Sequence, residues 1–378
     1  MTSSIRLTIR LTITAFVAAG TAHAQMTTPQ DRAVFATRVD SLVKAYMAES
    51  HAPGVSVAVI RGRDTIVFAG FGLADIEAHR PATAATIYEI GSNTKQFTAA
   101  AIMRLADQHK LSIDDELSKY LPQIPLHGNH VTIRELLTHT SGIRSYTELK
   151  AWQSHWAEDF TPDSIMGFVA KDTFDFAPGT RYSYDNSGYI LLGMVIEKVS
   201  GEPYAKYLES QFFKPLGLTH TSYCPSHTTD PEFAAGYSKK DHGVMPHVYL
   251  SLTQAYAAGA LCSNVGDFVK WQRDLAAGKV VSPESFTLMS KDASLTNGQK
   301  IHYGFGLVPG EMLGHKNFSH DGGIPGFATF GYYFPDDMLN VVVFTNYDGA
   351  SPVFLAANIA RIAYGGEPEA PRPPRTRP

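Results

Sequence analysis

The run Ile87-Tyr88-Glu89-Ile90-Gly91-Ser92-Asn93-Thr94-Lys95-Gln96-Phe97 changes character at its glycine. Before Gly91 it reads as an extended segment. After it Phe97, Ala101, Ile102 and Leu105 recur at helical spacing, so Ser92 opens a predicted helix. A serine hydroxyl is a poor nucleophile until something takes its proton, and a lysine three residues on shares its helix face and can reach it. A helix start adds free N–H groups and the positive end of the dipole, both of which favour developing negative charge. By composition, Ser-x-x-Lys should arise about once or twice in a chain of this length. It arises twice, at Ser41 with Lys44 and at Ser92 with Lys95. Ser41 lies inside an amphipathic helix predicted over 29–50, where a serine on a solvated face is ordinary. Ser92 also reads as a plain N-cap, a reading that weakens once two later segments are counted.

The first is Pro178-Gly179-Thr180-Arg181-Tyr182-Ser183-Tyr184-Asp185-Asn186-Ser187-Gly188, which holds the chain's only Tyr-x-Asn. A tyrosine beside a cationic lysine is expected to have its ordinary pKa of about 10 lowered, and can then relay a proton between serine and leaving group. Asn186 would hold the Lys95 ammonium and donate to a substrate's acyl amide. Taken alone, the segment also reads as a turn with aromatic packing. The second is His320-Asp321-Gly322-Gly323 followed by Ile324-Pro325-Gly326-Phe327. Glycines at a strand edge let a substrate approach the backbone and leave an N–H free for an oxyanion. Another His-x-Gly, His302-Tyr303-Gly304, lacks the glycine run and is expected only to enter a strand.

Outward from these motifs, 54–60 and 65–72 are strand-like around the polar turn 61–64, and 328–334 and 339–346 are strand-like around Pro335-Asp336-Asp337. A helix over 354–364 closes the pattern, and between the two ends 95–110, 131–138, 187–199, 204–213 and 265–277 carry helical periodicity. This arrangement predicts an α+β fold. One antiparallel sheet forms from both chain ends and is flanked by helices, with an inserted, mainly helical lobe and a cleft between the two parts. With 44% hydrophobic and 18% charged residues and a net charge of -4, the chain is a soluble globular type without the basic excess that nucleic acid requires.

Residues 1–24 read as a signal peptide, with Arg6 and Arg10, an apolar run over 11–20 and the small-x-small triplet Ala22-His23-Ala24. A membrane span needs about 20 apolar residues, roughly twice this run, so no stable membrane anchor is expected. The mature chain, starting at Gln25, is placed in the periplasm or outside the cell. There Cys224 and Cys262 could pair or remain two free thiols. The folded domain is expected over 25–366, and the Pro/Arg-rich 367–378 is expected to be disordered.

Together, the Ser-x-x-Lys, Tyr-x-Asn and His-x-Gly segments resemble the family of serine β-lactamases, penicillin-binding proteins and related esterases and D-amino-acid peptidases, most closely its class C branch. Leu136-Leu137-Thr138-His139-Thr140-Ser141-Gly142-Ile143 and Ala258-Gly259-Ala260-Leu261-Cys262-Ser263 extend the likeness. The resemblance implies a β-lactamase/transpeptidase-like fold and a serine hydrolase without metal or other cofactor. In it Ser92 forms the acyl-enzyme, Lys95 shares its proton, and Tyr184 takes over proton traffic, particularly in deacylation. Asn186 orients the acyl group, the N–H groups of Ser92 and Gly323 make the oxyanion hole, and His320 and Gly322 belong to the substrate-binding wall. His139 matches a structural loop histidine.

Departures from the family pattern bear on substrate. Most β-lactamases of the family carry Lys-Thr-Gly where this chain has His320-Asp321-Gly322. A histidine of ordinary pKa about 6.5 is mostly neutral at pH 7 and anchors a carboxylate poorly. The expected enzyme is therefore a peptidase or esterase acting on a small molecule or short peptide, with any β-lactamase activity rising as pH falls toward 6. Asp185 is larger and more acidic than the small residue usual there, and would raise the cost of a tyrosinate. The alternative is a non-catalytic penicillin-binding or peptidoglycan-binding sensor module of the same fold. The chain has neither the Gly-x-Ser-x-Gly elbow of α/β-hydrolases nor the His-Glu-x-x-His of zinc hydrolases.

Overall fold

The computed structural model describes residues 28–370 except 172, 227 and 242, so the expected signal peptide and the last eight residues lie outside it. Helix α1 (Pro29–Ser50) begins at a capping box. Thr28 Oγ1 accepts from Asp31 N at 3.1 Å, and Asp31 accepts from Thr28 N at 3.1 Å. Its buried stripe is Phe35, Val39 and Val43, and it ends at His51, whose φ of 64° is a left-handed cap.

In chain order the strands are β1 (Gly54–Arg61), β2 (Asp64–Asp75), β3 (Arg80–Pro81), β4 (Tyr88–Glu89), β5 (Ser222–Tyr223), β6 (Tyr237–Lys240), β7 (Gly243–Pro246), β8 (Leu261–Ser263), β9 (Val308–Met312), β10 (His315–Ile324), β11 (Phe327–Phe334) and β12 (Leu339–Thr345). Seven of them form one antiparallel sheet in the order β3-β2-β1-β12-β11-β10-β9. At its centre the two chain ends meet, from Val55 opposite Thr345 to Arg61 opposite Leu339. Alternation assigns the faces. Val55, Val57, Val59, Val341 and Val343 pack with α1 and the C-terminal helix Val353–Ala363, while Ala58, Val342 and Phe344 pack with the helical lobe. Helices cover both faces, which is why all seven residues of β12 are buried.

The lobe is organised on α2 (Thr94–Asp107), where Phe97 stacks on Trp271 with ring centres 3.8 Å apart. A short sheet, β4-β8-β5, leads into the segment that carries Ser92. Cys224 and Cys262 form a disulfide there, resolving the pairing that the sequence leaves open.

Local structure departs from the sequence-based expectations in several places. Ser92 does not open the α-helix itself. A single 3-10 turn, Gly91–Asn93, precedes it, with Gly91 at φ 51° because the chain must turn sharply beneath β10. The helix expected over 204–213 is α-helical only over Tyr204–Leu208 and widens to a π turn over Glu209–Phe213. His302-Tyr303-Gly304 does not enter a strand, since β9 starts only at Val308. A Cβ on Gly304 would lie 2.0 Å from Met289 O, so that glycine serves close packing of an irregular segment. At the start of the expected tail, Glu367 pairs with Arg38 and Glu369 with Arg361.

Candidate active site

The close approach of two backbones builds the site. A Cβ on Gly322 would lie 2.0 Å from Ile90 O, and one on Gly91 would lie 3.0 Å from Gly323 N. Only glycines therefore allow β10 to run against the segment holding Ser92. Thr329 Oγ1 donates to Ile90 O at 2.9 Å and accepts from Asn93 Nδ2 at 2.9 Å, tying that segment to β11 as well. Asn93 is a functional neighbour that sequence reasoning missed. Within Ser-x-x-Lys nothing marks it apart from its polarity.

Lys95 is fully buried on α2, and its Nζ donates to Ser92 Oγ (3.2 Å), Asn186 Oδ1 (2.8 Å) and Ala258 O (2.9 Å). Three donors thus meet three acceptors. The ring of Tyr184 lies 4.8 Å from this nitrogen and that of Tyr189 5.4 Å. Burial strips water from the ammonium and pushes the Lys95 pKa down to about 7, against the pull of Asp185 and Asp321.

Asn186 begins the helix Asn186–Ser200, and Asp185 caps it by accepting from Gly188 N at 2.9 Å. Burial pushes the Asp185 carboxyl up to about 7, opposed by the N–H groups of Gly188 and Ser187 and by Lys95. Asn186 Nδ2 donates to Thr147 Oγ1 at 3.2 Å, so its amide is held at both ends. His139 Nδ1 accepts from Asp185 N at 3.0 Å, while its ring lies against Tyr184 at 4.3 Å. His139 is a buried support for the Tyr184–Asn186 segment, held neutral by burial and by the Lys95 charge.

The Tyr184 pKa stands well above 10 because burial outweighs the opposing pull of the neighbouring Ser92 hydroxyl. This corrects the expectation that Lys95 lowers it. The lysine, not the tyrosine, is the group moved toward neutrality.

His320 is buried, with both ring nitrogens occupied. Nδ1 faces Asp321 O at 2.5 Å and must donate to it, so Nε2 accepts from Tyr303 O–H at 2.9 Å. Burial pulls its pKa down to about 4, with Asp321 opposing. The histidine is therefore a buried, neutral residue throughout the pH range in which it was expected to titrate. Tyr303, set aside in the sequence reading, is its fixed partner.

Ser41 and Lys44 stay on the outer face of α1, bonded to Thr37 O and to Asp40. Helix Leu252–Gly259, by contrast, is part of the site. Tyr256 interrupts it at φ 38°, ψ −127°, and the next two carbonyls turn to α2, Ala257 O to Thr98 Oγ1 (2.7 Å) and Ala258 O to Lys95.

A cavity of about 240 Å³ opens at Ser92 and Asn186. A larger groove of about 1100 Å³, between the end of α1, β6–β7 and the C-terminal helix, contains none of these residues.

The family profile described as Beta-lactamase matches residues 39–364. The chain belongs to the beta-lactamase family. Among relatives of this family member, a protein named as penicillin-binding protein PbpX of Bacillus subtilis (strain 168) is 30% identical over 306 residues, covering 80% of this chain and 73% of that one. The structure of the octameric penicillin-binding protein homologue from Pyrococcus abyssi matches at TM-score 0.78 and 31% identity, covering 88% of this chain and 78% of that one. The D-stereospecific amidohydrolase from a Streptomyces species matches at TM-score 0.75 and 27% identity, covering 85% and 97%. The α+β, β-lactamase/transpeptidase-like fold expected from the sequence is the one observed.

Proposed function

We propose that the chain is a serine hydrolase that cleaves amide or ester bonds through an acyl-enzyme on Ser92. The observation that carries this reading is the 3.2 Å bond between Lys95 Nζ and Ser92 Oγ, on a lysine pushed down to about 7. Near neutrality a substantial share of such lysines is uncharged and able to accept the serine proton. Ser92 Oγ bonds to the substrate carbonyl carbon as its proton passes to Lys95, and the carbonyl oxygen takes the negative charge. The N–H groups of Ser92 and Gly323 are assigned to that oxyanion. Gly323 is exposed on β10 with open space at its Cβ position. Collapse of the intermediate expels the amine or alkoxide, which takes a proton from Tyr184 O–H as Lys95 replaces it. Water then cleaves the ester, passing a proton back along the same path and restoring Ser92. A raised pKa keeps Tyr184 protonated at rest, which suits a donor rather than a standing base. Asn186 holds Lys95 and orients the acyl group.

Neutral, doubly bonded His320 offers no permanent cation to a substrate carboxylate, which favours a peptidase or esterase over a dedicated β-lactamase. The likeness to a D-stereospecific amidohydrolase is in keeping with an amide-cleaving enzyme; small-molecule or short-peptide substrates, met in the periplasm or outside the cell, are part of the same proposal.

The test is intact-mass analysis with a fluorophosphonate and with benzylpenicillin, followed by peptide mapping. One adduct on Ser92 is expected, absent in Ser92→Ala, which should also keep its melting temperature and lose p-nitrophenyl ester turnover to below about 1%. A lasting benzylpenicillin adduct without any ester turnover would instead establish the non-catalytic sensor.

A further inference from the structure

The cavity beside Ser92 is walled by Tyr146, Trp152, Trp156, Leu250 and Ile324, and among its described lining residues no side chain is charged. Apart from Trp156 Nε1, a buried N–H without a hydrogen-bond partner, the wall's polar side-chain atoms are committed elsewhere. Tyr146 O–H donates to Gln254 O at 2.6 Å, Trp152 Nε1 donates to Gln254 Oε1 at 2.6 Å, and Thr147 Oγ1 accepts from Asn186. Asp159, the carboxylate bonded next to this wall, accepts from Ser251 Oγ at 2.6 Å and does not line the cavity. Buried Gln254 also donates to His155 O at 2.7 Å, and Trp156 O accepts from Ser251 N at 2.7 Å, so the aromatic wall is fixed before substrate arrives.

From this geometry we infer that the acyl side of the cleft takes an uncharged, apolar acyl group of aromatic size and discriminates against one bearing a free ammonium. The inference rests on the Ser92 acyl-enzyme reading and names the acyl donor for it. An apolar cavity of roughly 150 Å³ already accommodates benzene, so about 240 Å³ holds a ring with a short linker but not a drug-sized group. A charge placed there finds no countercharge among the described lining residues.

The experiment compares kcat/KM at pH 7 for phenylacetyl and D-phenylalanyl p-nitroanilides, and for p-nitrophenyl phenylacetate and acetate, with fluorophosphonate labelling of Ser92 in the same preparation. The uncharged anilide is expected to exceed the ammonium-bearing one by at least tenfold, and phenylacetate to exceed acetate by a similar factor. Leu250→Glu, at a half-buried wall position, should raise D-phenylalanyl turnover relative to phenylacetyl turnover. Trp152→Ala should lower the phenylacetate-to-acetate ratio. Equal or inverted preferences with Ser92 labelled overturn the pocket assignment alone. No labelling and no turnover overturn the acyl-enzyme reading and the inference with it.

Discussion

Lys95 combines a buried side chain with a titration near neutrality, and this sets the sign of the pH response. In the proposed mechanism its neutral form is the base, so kcat/KM should climb as pH rises through about 7 and level off above it. An ionised Asp185 holds the Lys95 pKa up, and Asp185→Asn keeps the cap to Gly188 N while removing that charge. The acid limb is then expected to move to lower pH by roughly half to one unit. A pH–rate profile in which the limb stays in place would uncouple the two groups. His320 behaves differently. Its folded pKa of about 4 lies below its unfolded value of about 6.5, so its stabilising contribution is complete above the unfolded value and lost as pH falls toward 4. β-Lactam turnover should therefore not rise between pH 7 and 5.5, contrary to the expectation from an ordinary histidine. A steady-state series on a chromogenic cephalosporin measures this directly.

The kinked helix Leu252–Gly259 is the element on which the lysine depends. A methyl on Gly193 would sit 2.4 Å from the Tyr256 ring and 2.5 Å from Ala257 Cβ, forcing the kink and the carbonyls behind it to move. Gly193→Ala is expected to cost about 1–3 kcal/mol of stability and to lower kcat about tenfold or more, read by thermal melting and ester kinetics. An unchanged kcat with a lowered melting temperature would separate the kink from the chemistry. Elements such as α1, β1, β2, β11 and β12 were legible in sequence because their apolar residues repeat at the period of one helix or of one sheet face. Strand β10 was not. His315, Lys316, Asp321 and its glycines break the alternation, and its extended form is imposed by β11 on one side and β9 on the other, with the chain at Ile90 packed against its glycines. The Tyr256 kink and the Tyr303–His320 bond were hidden for the same reason, since each is decided by contacts distant in sequence. That Ser92, Lys95, Tyr184 and Asn186 lie together was readable because the chemistry proposed for them requires residue types at short spacing, which a chain displays before it folds.

At the scale of the molecule the site is shared among distant segments, with Ser92 and Lys95 from one, Tyr184 and Asn186 from another, and Ala258 and His320 from two more. The disulfide steadies this assembly by closing a sequence separation of 38 residues between Cys224 and Cys262. Its removal by paired serine substitution should cost about 2–4 kcal/mol in a denaturant titration, with the folded protein still turning over ester at room temperature. The pairing of Val55 with Thr345 bears on how the chain is made. During synthesis β1 lacks this central neighbour until Leu339–Thr345 has left the ribosome, long after β1 itself. Closing a pair so far apart is slow, and until then the apolar faces of both ends stay uncovered and need to be kept from other chains. Late closure is compatible with the proposed export, which threads an unfolded polypeptide across a membrane before the sheet can form. It also makes truncation unforgiving even late in the chain, since a stop codon anywhere before Leu339 deletes a strand from the middle of the sheet rather than trimming its edge.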